Sequence, residues 1–218
     1  MSPPLPPACP VCRAAPPEAL GRFDGKGYWR CETCGARGLN PAHYPDGAAE
    51  RAQYDWHENR VDDPGYRRFL DRLAAPLRAR LAPGSRGLDY GCGPGPALAA
   101  MLREAGHGVA VHDPFYAPDP APLAARYDFV TCTEVAEHFH APAAEFDRLG
   151  ALVRPGGLLA VMTCFQTEDA RFASWHYRKD PTHVVFYRAE TFGVIAAQRG
   201  WGCEVVARDV VFLRVPGP

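Results

Sequence analysis

The segment that most constrains the fold runs from Gly87 to Gly95 and reads Gly-Leu-Asp-Tyr-Gly-Cys-Gly-Pro-Gly. A short apolar lead-in ends at Asp89, and glycines then occupy every second position. Apolar and alanine positions recur at helical spacing from Pro96 to Gly106. This order predicts a strand, a tight glycine turn and a helix. Because glycine lacks a Cβ and a helix begins with free N–H groups, the turn is typical of close backbone approach to a ligand.

The spacing of these glycines narrows the kind of ligand. It is not the G-x-G-x-x-G of dinucleotide-binding folds. A compact D-x-G-x-G-x-G, with its acidic residue in front, suits a ligand with a cationic, amino-acid-like end better than a pyrophosphate. A glycine turn on its own is a weak signal, so the identity of the ligand has to be inferred from the neighbouring segments.

The segment from Asp89 to Gly95 resembles the first motif of class I S-adenosylmethionine-dependent methyltransferases, and later segments match that family in the right order. Strands would lie at 108–113, at 127–133 and in the stretch 152–163 that begins with a turn. The resemblance covers Arg86 to the C-terminus. It implies an α/β fold with a Rossmann-like, mostly parallel, seven-stranded sheet that ends in a hairpin around Arg208 and Asp209. The cofactor-binding residues that it implies are Asp89, Gly91, Gly93, Gly95, Asp113, Pro114, Cys132 and Thr133.

Asp113 ends the second strand, 24 positions after Asp89, where a carboxylate can accept hydrogen bonds from both ribose hydroxyls of the cofactor. The alternative is a turn or helix-cap aspartate. The stretch 114–127 then departs from the family pattern, because it holds four prolines where a helix and a third strand are usual. We therefore expect the sheet to be shortened around strand 3. The adenine-reading residue is not placed; Phe115 or Tyr116 could cover the ring or simply pack.

Two C-x-x-C pairs, Cys9/Cys12 and Cys31/Cys34, are separated by 18 residues near the N-terminus. Four thiolates at this spacing can surround one Zn²⁺ tetrahedrally, which predicts a structural zinc ribbon over 1–40. The alternatives are a redox motif and coincidence. We predict that residues 41–63 form a linker, part of which could fold over the cofactor cleft as a lid. The methyltransferase domain would then occupy 64–218, beginning with an amphipathic helix at 65–81 whose arginines favour a solvated face over a nucleic-acid patch.

Residues that could carry chemistry follow the strand at 127–133. If a helix begins there, Glu134, Glu137 and His138 share one face at the carboxyl end of the sheet, which is a half-site for a metal. His183 lies in an aromatic-rich segment after the fifth strand and could supply a second nitrogen ligand. His176 is a further candidate, as a base or as a wall of the acceptor pocket.

The Glu-x-x-Glu-His pattern is similar to that of ubiquinone-pathway O-methyltransferases and, with the downstream histidine, to that of small-RNA 3′-terminal 2′-O-methyltransferases. This resemblance implies that neighbouring substrate hydroxyls chelate a divalent metal (Mg, Mn, Fe or Zn), which lowers their pKa and aims them at the methyl donor. Two alternatives stay open: a metal-free site with His138, His176 or His183 as general base, and purely structural roles for these residues.

Composition limits the partners. The formal net charge is −1, so no global positive field attracts nucleic acid or anionic lipid. No apolar run reaches the ~18–20 residues of a membrane span and the cysteine pattern suits a reducing compartment, so we expect a cytoplasmic protein. The leading hypothesis is O-methylation of a small or medium-sized acceptor. The rivals are a zinc-ribbon RNA methyltransferase, a nucleotide-sugar C-methyltransferase and a non-catalytic scaffold that binds the cofactor; the sequence does not indicate the oligomeric state.

Overall fold

A computed structural model describes residues 3–56 and 59–217. The strands, in chain order, are β1 (Glu18–Phe23), β2 (Lys26–Arg30), β3 (Arg37–Leu39), β4 (Arg86–Tyr90), β5 (Gly108–His112), β6 (Tyr127–Thr133), β7 (Val153–Met162), β8 (Val185–Phe186), β9 (Gly202–Ala207) and β10 (Val210–Arg214). The α-helices are α1 (Gly47–Tyr54), α2 (Pro64–Arg78), α3 (Ala97–Glu104), α4 (Pro142–Leu152), α5 (Asp169–Phe172) and α6 (Ala189–Arg199).

The main sheet has the strand order β5-β4-β6-β7-β10-β9. The first four strands are parallel, and β10 runs antiparallel to both β7 and β9. Within the described ranges this sheet has six strands, so the expected count of seven is wrong by one. The missing strand is the third of the family pattern. Its place holds a 3₁₀ turn, Ala121–Ala124, because the prolines of this stretch fix φ and remove the N–H donors that a strand needs.

Helices cover both faces of this sheet, as in other α/β folds. On one face α2 and α3 pack through a buried cluster that includes Leu73, Leu77 and Leu102. On the other face α4 and α6 pack through a cluster that includes Phe146 and Ile195. The Rossmann-like α/β fold that the family resemblance implies is therefore confirmed.

The arginines of α2 lie mostly in ion pairs. Carboxylates bond to Arg67, Arg72, Arg78 and, just beyond the helix, Arg80. These pairs balance most of the positive charge that the sequence concentrates on this helix. The arrangement agrees with a solvated, ion-paired face.

The N-terminal ribbon forms a second sheet with the order β1-β2-β3-β8. Its fourth strand, β8, comes from the segment that follows β7, and it pairs antiparallel with β3 through Arg37↔Phe186 and Gly38↔Val185. Trp29 is fully buried, and a Cβ on Gly38 would lie 2.2 Å from its ring, so glycine is required at this crossing. The ribbon is thus joined to the second half of the chain by backbone hydrogen bonds.

The segment between the ribbon and α2 is partly helical. Helix α1 begins after Asp46, whose side chain accepts a hydrogen bond from the amide of Ala49, and α2 begins after Asp63 in the same way. No helix in the described part of the chain is both long and apolar enough to cross a membrane.

Candidate active site

A cavity of about 680 Å³ opens at the carboxyl ends of β4, β5 and β6. This edge is where open parallel sheets bind their ligands, and the volume suits a nucleoside together with a small acceptor. The residues of the predicted site that line it are Gly91, Gly93, Asp113, Pro114, Thr133, Glu134, Glu137, His138 and His183.

The glycine turn forms one wall of the cavity with a left-handed backbone. Gly91 has φ +75° and Gly93 has φ +64°, conformations that side chains with a Cβ rarely adopt. A Cβ on Gly91 would lie 2.4 Å from Val135, and one on Gly95 would lie 1.7 Å from the carbonyl oxygen of Asn59. Gly91 and Gly93 therefore face the cavity, whereas Gly95 packs against the chain just before α2.

Asp113 is 7% exposed and holds two loops together at the cavity wall. Its Oδ2 accepts a hydrogen bond from the amide of Gly93 at 2.9 Å, and its Oδ1 accepts from the amides of Phe115 at 2.8 Å and Tyr116 at 3.1 Å. A carboxylate fixed in this way presents its remaining lone pairs to the cavity without needing to reorganise.

Asp89 and Cys132 lie beneath the cavity rather than in its lining. Asp89 accepts a hydrogen bond from the Thr131 hydroxyl at 2.8 Å, and burial raises the pKa of its carboxyl to about 6. It borders a void of about 20 Å³ together with Gly91 and Thr133, which is room for one water molecule. Cys132 is fully buried in β6.

The helix expected to begin at Glu134 is absent from the described structure. Glu134 itself has φ +52°, and only a 3₁₀ turn, Ala136–His138, precedes α4. The reason is local: the Glu134 amide bonds to the carbonyl of Met162, which continues the pairing of β6 with β7 before the chain turns away. Burial, together with repulsion from Glu137, raises the pKa of Glu134 to about 9.

Glu137, His138 and His183 come together without Glu134. One ligand atom from each of the three lies within 4.8 Å of the others. The Nδ1 atoms of the two histidines face carbonyl oxygens, His138 that of Thr182 at 3.0 Å and His183 that of Tyr177 at 2.7 Å. Since a carbonyl only accepts, each Nδ1 carries the proton and each Nε2 keeps its lone pair, which is the usual arrangement of metal-binding histidines.

The carboxyl group of this cluster is incompletely hydrogen-bonded. Glu137 is fully buried; its Oε1 accepts from the hydroxyl of Tyr177 at 2.5 Å, while its Oε2 has no hydrogen-bond partner among the described residues. Burial also lowers the pKa of His183, which favours the neutral imidazole. Two imidazoles and a carboxyl group with a spare oxygen are a ligand set that suits Mn²⁺, Fe²⁺ or Zn²⁺.

His176 lies apart from this cluster. It starts the 3₁₀ turn His176–Lys179, is exposed, and does not line the cavity. Its neighbour Tyr177 points inward instead, and its hydroxyl contacts Glu134, Glu137 and Thr163. The aromatic-rich segment thus contributes Tyr177 and His183 to the site.

Several cavity residues were missed because no motif marks them. Tyr54 of α1 packs its ring edge-on to His138 at 5.1 Å between centroids, and Glu50 bonds to His140 at 2.8 Å. At the other end Tyr90 donates to Glu145 of α4 at 2.7 Å. The lid expected between the ribbon and α2 is the one signal that pointed to Glu50 and Tyr54.

The four ribbon cysteines form a compact, buried cluster. The Sγ atoms of Cys9 and Cys34 are 3.8 Å apart, and those of Cys12 and Cys31 are 3.7 Å apart. Zn–S bonds of about 2.3 Å place the sulfurs of a tetrahedron about 3.8 Å from each other, whereas a disulfide needs about 2.05 Å. The donor set therefore fits a structural zinc ion.

Comparison with known proteins gives matches over most of the chain. Residues 65–206 match a family described as a methyltransferase domain. A ubiquinone biosynthesis O-methyltransferase from Xylella fastidiosa (strain M23) is 30% identical over 111 residues, covering 38% of this chain and 44% of that protein. The chain thus matches less than half the length of this curated relative.

Two solved structures share the fold. One is a 1,6-didemethyltoxoflavin-N1-methyltransferase from Burkholderia thailandensis with S-adenosylhomocysteine bound (TM-score 0.54, 16% identity, 91% of this chain and 99% of that chain). The other is the magnesium protoporphyrin IX methyltransferase of Synechocystis PCC 6803, also with S-adenosylhomocysteine (TM-score 0.53, 17% identity, 80% and 97%).

Proposed function

The chain belongs to the methyltransferase domain family as a class I S-adenosylmethionine-dependent methyltransferase, and we propose that it transfers the methyl group to an oxygen of a small or medium-sized acceptor with the help of a divalent cation. The observation that carries this proposal is the cluster of Glu137, His138 and His183 within 4.8 Å at the cavity that the glycine turn also lines.

S-adenosylmethionine supplies a methyl group on a positively charged sulfur. The residues proposed to bind it are those of the first motif and Asp113. The left-handed glycines allow close approach of the cofactor, and the carboxylate of Asp113, fixed by three amides, accepts from the ribose hydroxyls. Asp89 and Cys132, which lie beneath the cavity, would act by supporting the turn.

A divalent cation at the histidine cluster would supply positive charge that lowers the pKa of an acceptor hydroxyl. Glu137 and the Nε2 atoms of His138 and His183 are the proposed ligands. The carbonyls of Thr182 and Tyr177 hold the imidazoles in the required tautomer. Glu134 lines the same cavity, and burial together with repulsion from Glu137 raises the pKa of its carboxyl to about 9, so without a cation it can donate a hydrogen bond near neutral pH.

The lining also points to the class of acceptor. Glu50, Glu145 and Asp180 add negative charge, with Arg148 as an opposing cation, so the cavity favours a cationic sulfonium and a neutral acceptor over an anionic one. Aromatic rings of Tyr54 and Phe139 line the same space. A neutral aromatic compound with two neighbouring hydroxyls would meet both conditions and could chelate the cation. The name of the curated relative, an O-methyltransferase, agrees with transfer to oxygen.

A second candidate mechanism uses the same residues without a cation. His138 and His183 line the cavity, and their Nδ1 atoms are engaged by carbonyls, so the Nε2 of either imidazole could accept the acceptor's proton directly as a general base. This mechanism needs one hydroxyl on the acceptor, not two neighbouring ones.

Transfer of labelled methyl from S-adenosylmethionine to catechol and to phenol separates these mechanisms. The cation mechanism predicts labelling of catechol only, loss of labelling after chelation with recovery on addition of Mn²⁺, and loss in Glu137→Gln. Ribbon zinc is quantified in the same samples, and Glu190→Gln, which alters an exposed carboxyl on α6, serves as the matched control. Equal labelling of both acceptors that survives chelation would contradict the cation mechanism. If neither catechol nor phenol is labelled, the proposed acceptor class is contradicted.

A further inference from the structure

The ribbon contacts the histidine cluster through a single residue of backbone. The amide of Leu39 in β3 donates to the carbonyl of Val184 at 2.8 Å, and the amide of Val184 donates to the carbonyl of Glu137 at 2.9 Å. Val184 directly follows His183 and is fully buried. The backbone N–H and C=O of one residue, Val184, thus bond to the cluster and to the ribbon respectively, so a shift of β3 would move His183 and Glu137 together.

A second link runs through the side chain of Arg178, which is 2% exposed. Its guanidinium bonds to Asp24 at 2.6 Å and to the hydroxyl of Tyr28 at 3.2 Å, and lies over the rings of Phe23 and Tyr28. All three of these residues belong to the β1–β2 hairpin of the ribbon. The same guanidinium also bonds to the carbonyls of Phe172 and Ala173. Arg178 therefore fastens the tip of the ribbon to the segment that carries the site.

The neighbour of this arginine acts on the cluster from two sides. The hydroxyl of Tyr177 donates to Glu137 at 2.5 Å, and its carbonyl accepts from Nδ1 of His183 at 2.7 Å. Tyr177 thus fixes the positions of both the Glu137 carboxyl group and the His183 imidazole. Any displacement of Arg178 is passed to Tyr177 through one peptide bond.

The four ribbon cysteines border the strand from which the first link starts. Cys31 and Cys34 lie between β2 and β3, and the Cys31 amide bonds to the carbonyl of Ala36 at 2.8 Å immediately before β3 begins. A metal held by these sulfurs would lock the turn that sets the position of β3. The ribbon strand β3 bonds to the segment that carries His183, whereas Asp113 and the glycine turn directly follow β5 and β4 of the main sheet.

From these contacts we infer that the zinc ribbon is a positioning element for the acceptor side of the active site, and that Arg178 and Asp24 are positioning residues for Glu137 and His183. The inference rests on the proposed function of the histidine cluster. On this inference the ribbon does not have to bind a molecule of its own. It holds the metal-ligand side chains Glu137 and His183 in position from outside the cavity.

Two variants of the zinc-loaded, 218-residue chain test the inference. Asp24→Asn suits the test because Asp24 is exposed at a left-handed turn position, φ +51°, that asparagine tolerates. Arg178→Gln removes the buried partner. Arg13→Gln is the matched control, because Arg13 also joins the ribbon to the domain, through Asp147 of α4, but has no contact with the cluster.

Amide hydrogen exchange and Co²⁺ titration are the readouts, with S-adenosylhomocysteine affinity measured alongside. In Arg178→Gln we expect exchange over 176–187 to rise about ten-fold. Co²⁺ affinity should fall about ten-fold, and S-adenosylhomocysteine affinity should change by no more than about two-fold. Asp24→Asn should change the exchange and the Co²⁺ affinity in the same direction by smaller amounts. Arg13→Gln should change neither. The zinc content should be the same in all three variants.

Unchanged exchange over 176–187 in both variants would overturn the inference. An equal rise over 87–113 would overturn it too, because that would be a general loosening of the protein. Failure of the wild-type protein to bind Co²⁺ beyond its ribbon zinc would instead count against the proposed cation mechanism, and the exchange comparison would still decide the role of the ribbon.

Discussion

Replacing Glu137 with glutamine should stabilise the protein in the absence of an added cation. The carboxyl group is fully buried, and its Oε2 has no hydrogen-bond partner in the described part of the chain. Leaving a buried polar atom unpaired costs about 1–3 kcal/mol. In Glu137→Gln the side-chain oxygen still accepts from Tyr177, and the new amide replaces the unpaired Oε2 in a cluster whose ligand atoms lie within 4.8 Å of one another, so a small rotation of the side chain completes a hydrogen bond to a histidine Nε2.

We therefore expect Glu137→Gln to gain about 2 kcal/mol in free energy of unfolding. For a chain of this length that gain corresponds to a rise in Tm of about 4–8 °C. The same change removes the only charged ligand of the cluster. Adding Mn²⁺ at about a hundred times its Kd should stabilise the wild type by about 2.7 kcal/mol and leave the variant unaffected.

Thermal and urea unfolding with and without Mn²⁺ measure both effects, with Glu190→Gln as the control for loss of an exposed carboxyl. The order of stability should reverse on addition of Mn²⁺: the variant is more stable without the cation, and the wild type gains with it. A variant that is less stable than the wild type without Mn²⁺, or one that keeps the Mn²⁺ shift, would refute the reasoning.

Three further predictions concern the cofactor side, the ribbon and pH. Asp113→Ala should weaken S-adenosylhomocysteine binding at least about 100-fold in calorimetry, because it removes two charge-assisted hydrogen bonds of about 1.5 kcal/mol each. The control Asp119→Ala, which changes an exposed carboxyl, should leave the Kd unchanged. An unchanged Kd in Asp113→Ala would exclude the proposed role of Asp113. Elemental analysis should find one zinc per chain in the wild type and in Glu134→Ala, but none in Cys31→Ser. Cys203→Ser, which replaces an exposed cysteine outside the ribbon, should also keep its zinc. Zinc retained in Cys31→Ser would contradict the ribbon site. Because burial raises the pKa of Asp89 from 3.8 to about 6, its ionisation opposes folding and stability is lost as pH rises through this window. The gain in unfolding free energy on Asp89→Asn should therefore be about 1 kcal/mol larger at pH 7.5 than at pH 5, and a gain that does not vary with pH would contradict the shift.

Much of the fold followed from local patterns. The strand predicted at 127–133 has the bounds that the structure shows, and the amphipathic helix predicted at 65–81 is found at Pro64–Arg78, because a buried parallel strand and an amphipathic helix each leave a recognisable pattern. The proline-rich stretch after Asp113 likewise pointed to the shortened sheet. Each of these structural features is determined by residues close together in the sequence, so the sequence is sufficient to predict it.

The remaining features depend on contacts between distant segments. Glu134 takes a left-handed conformation because its amide completes a bond to β7, which no helical spacing reveals. The pairing of β3 with the two-residue strand β8 is too short to leave a pattern. The same holds for the carbonyls of Thr182 and Tyr177 that fix the two imidazoles, since any residue supplies a carbonyl.

The most direct test of the account is a crystal structure grown with S-adenosylhomocysteine and Mn²⁺, with anomalous data collected at the manganese edge. We expect the nucleoside in the cavity with its ribose on Asp113 and its sulfur facing the histidine cluster. An anomalous peak should lie among Glu137, His138 and His183. A nucleoside bound elsewhere, or an occupied cofactor site with no peak at the cluster under saturating Mn²⁺, would contradict the account.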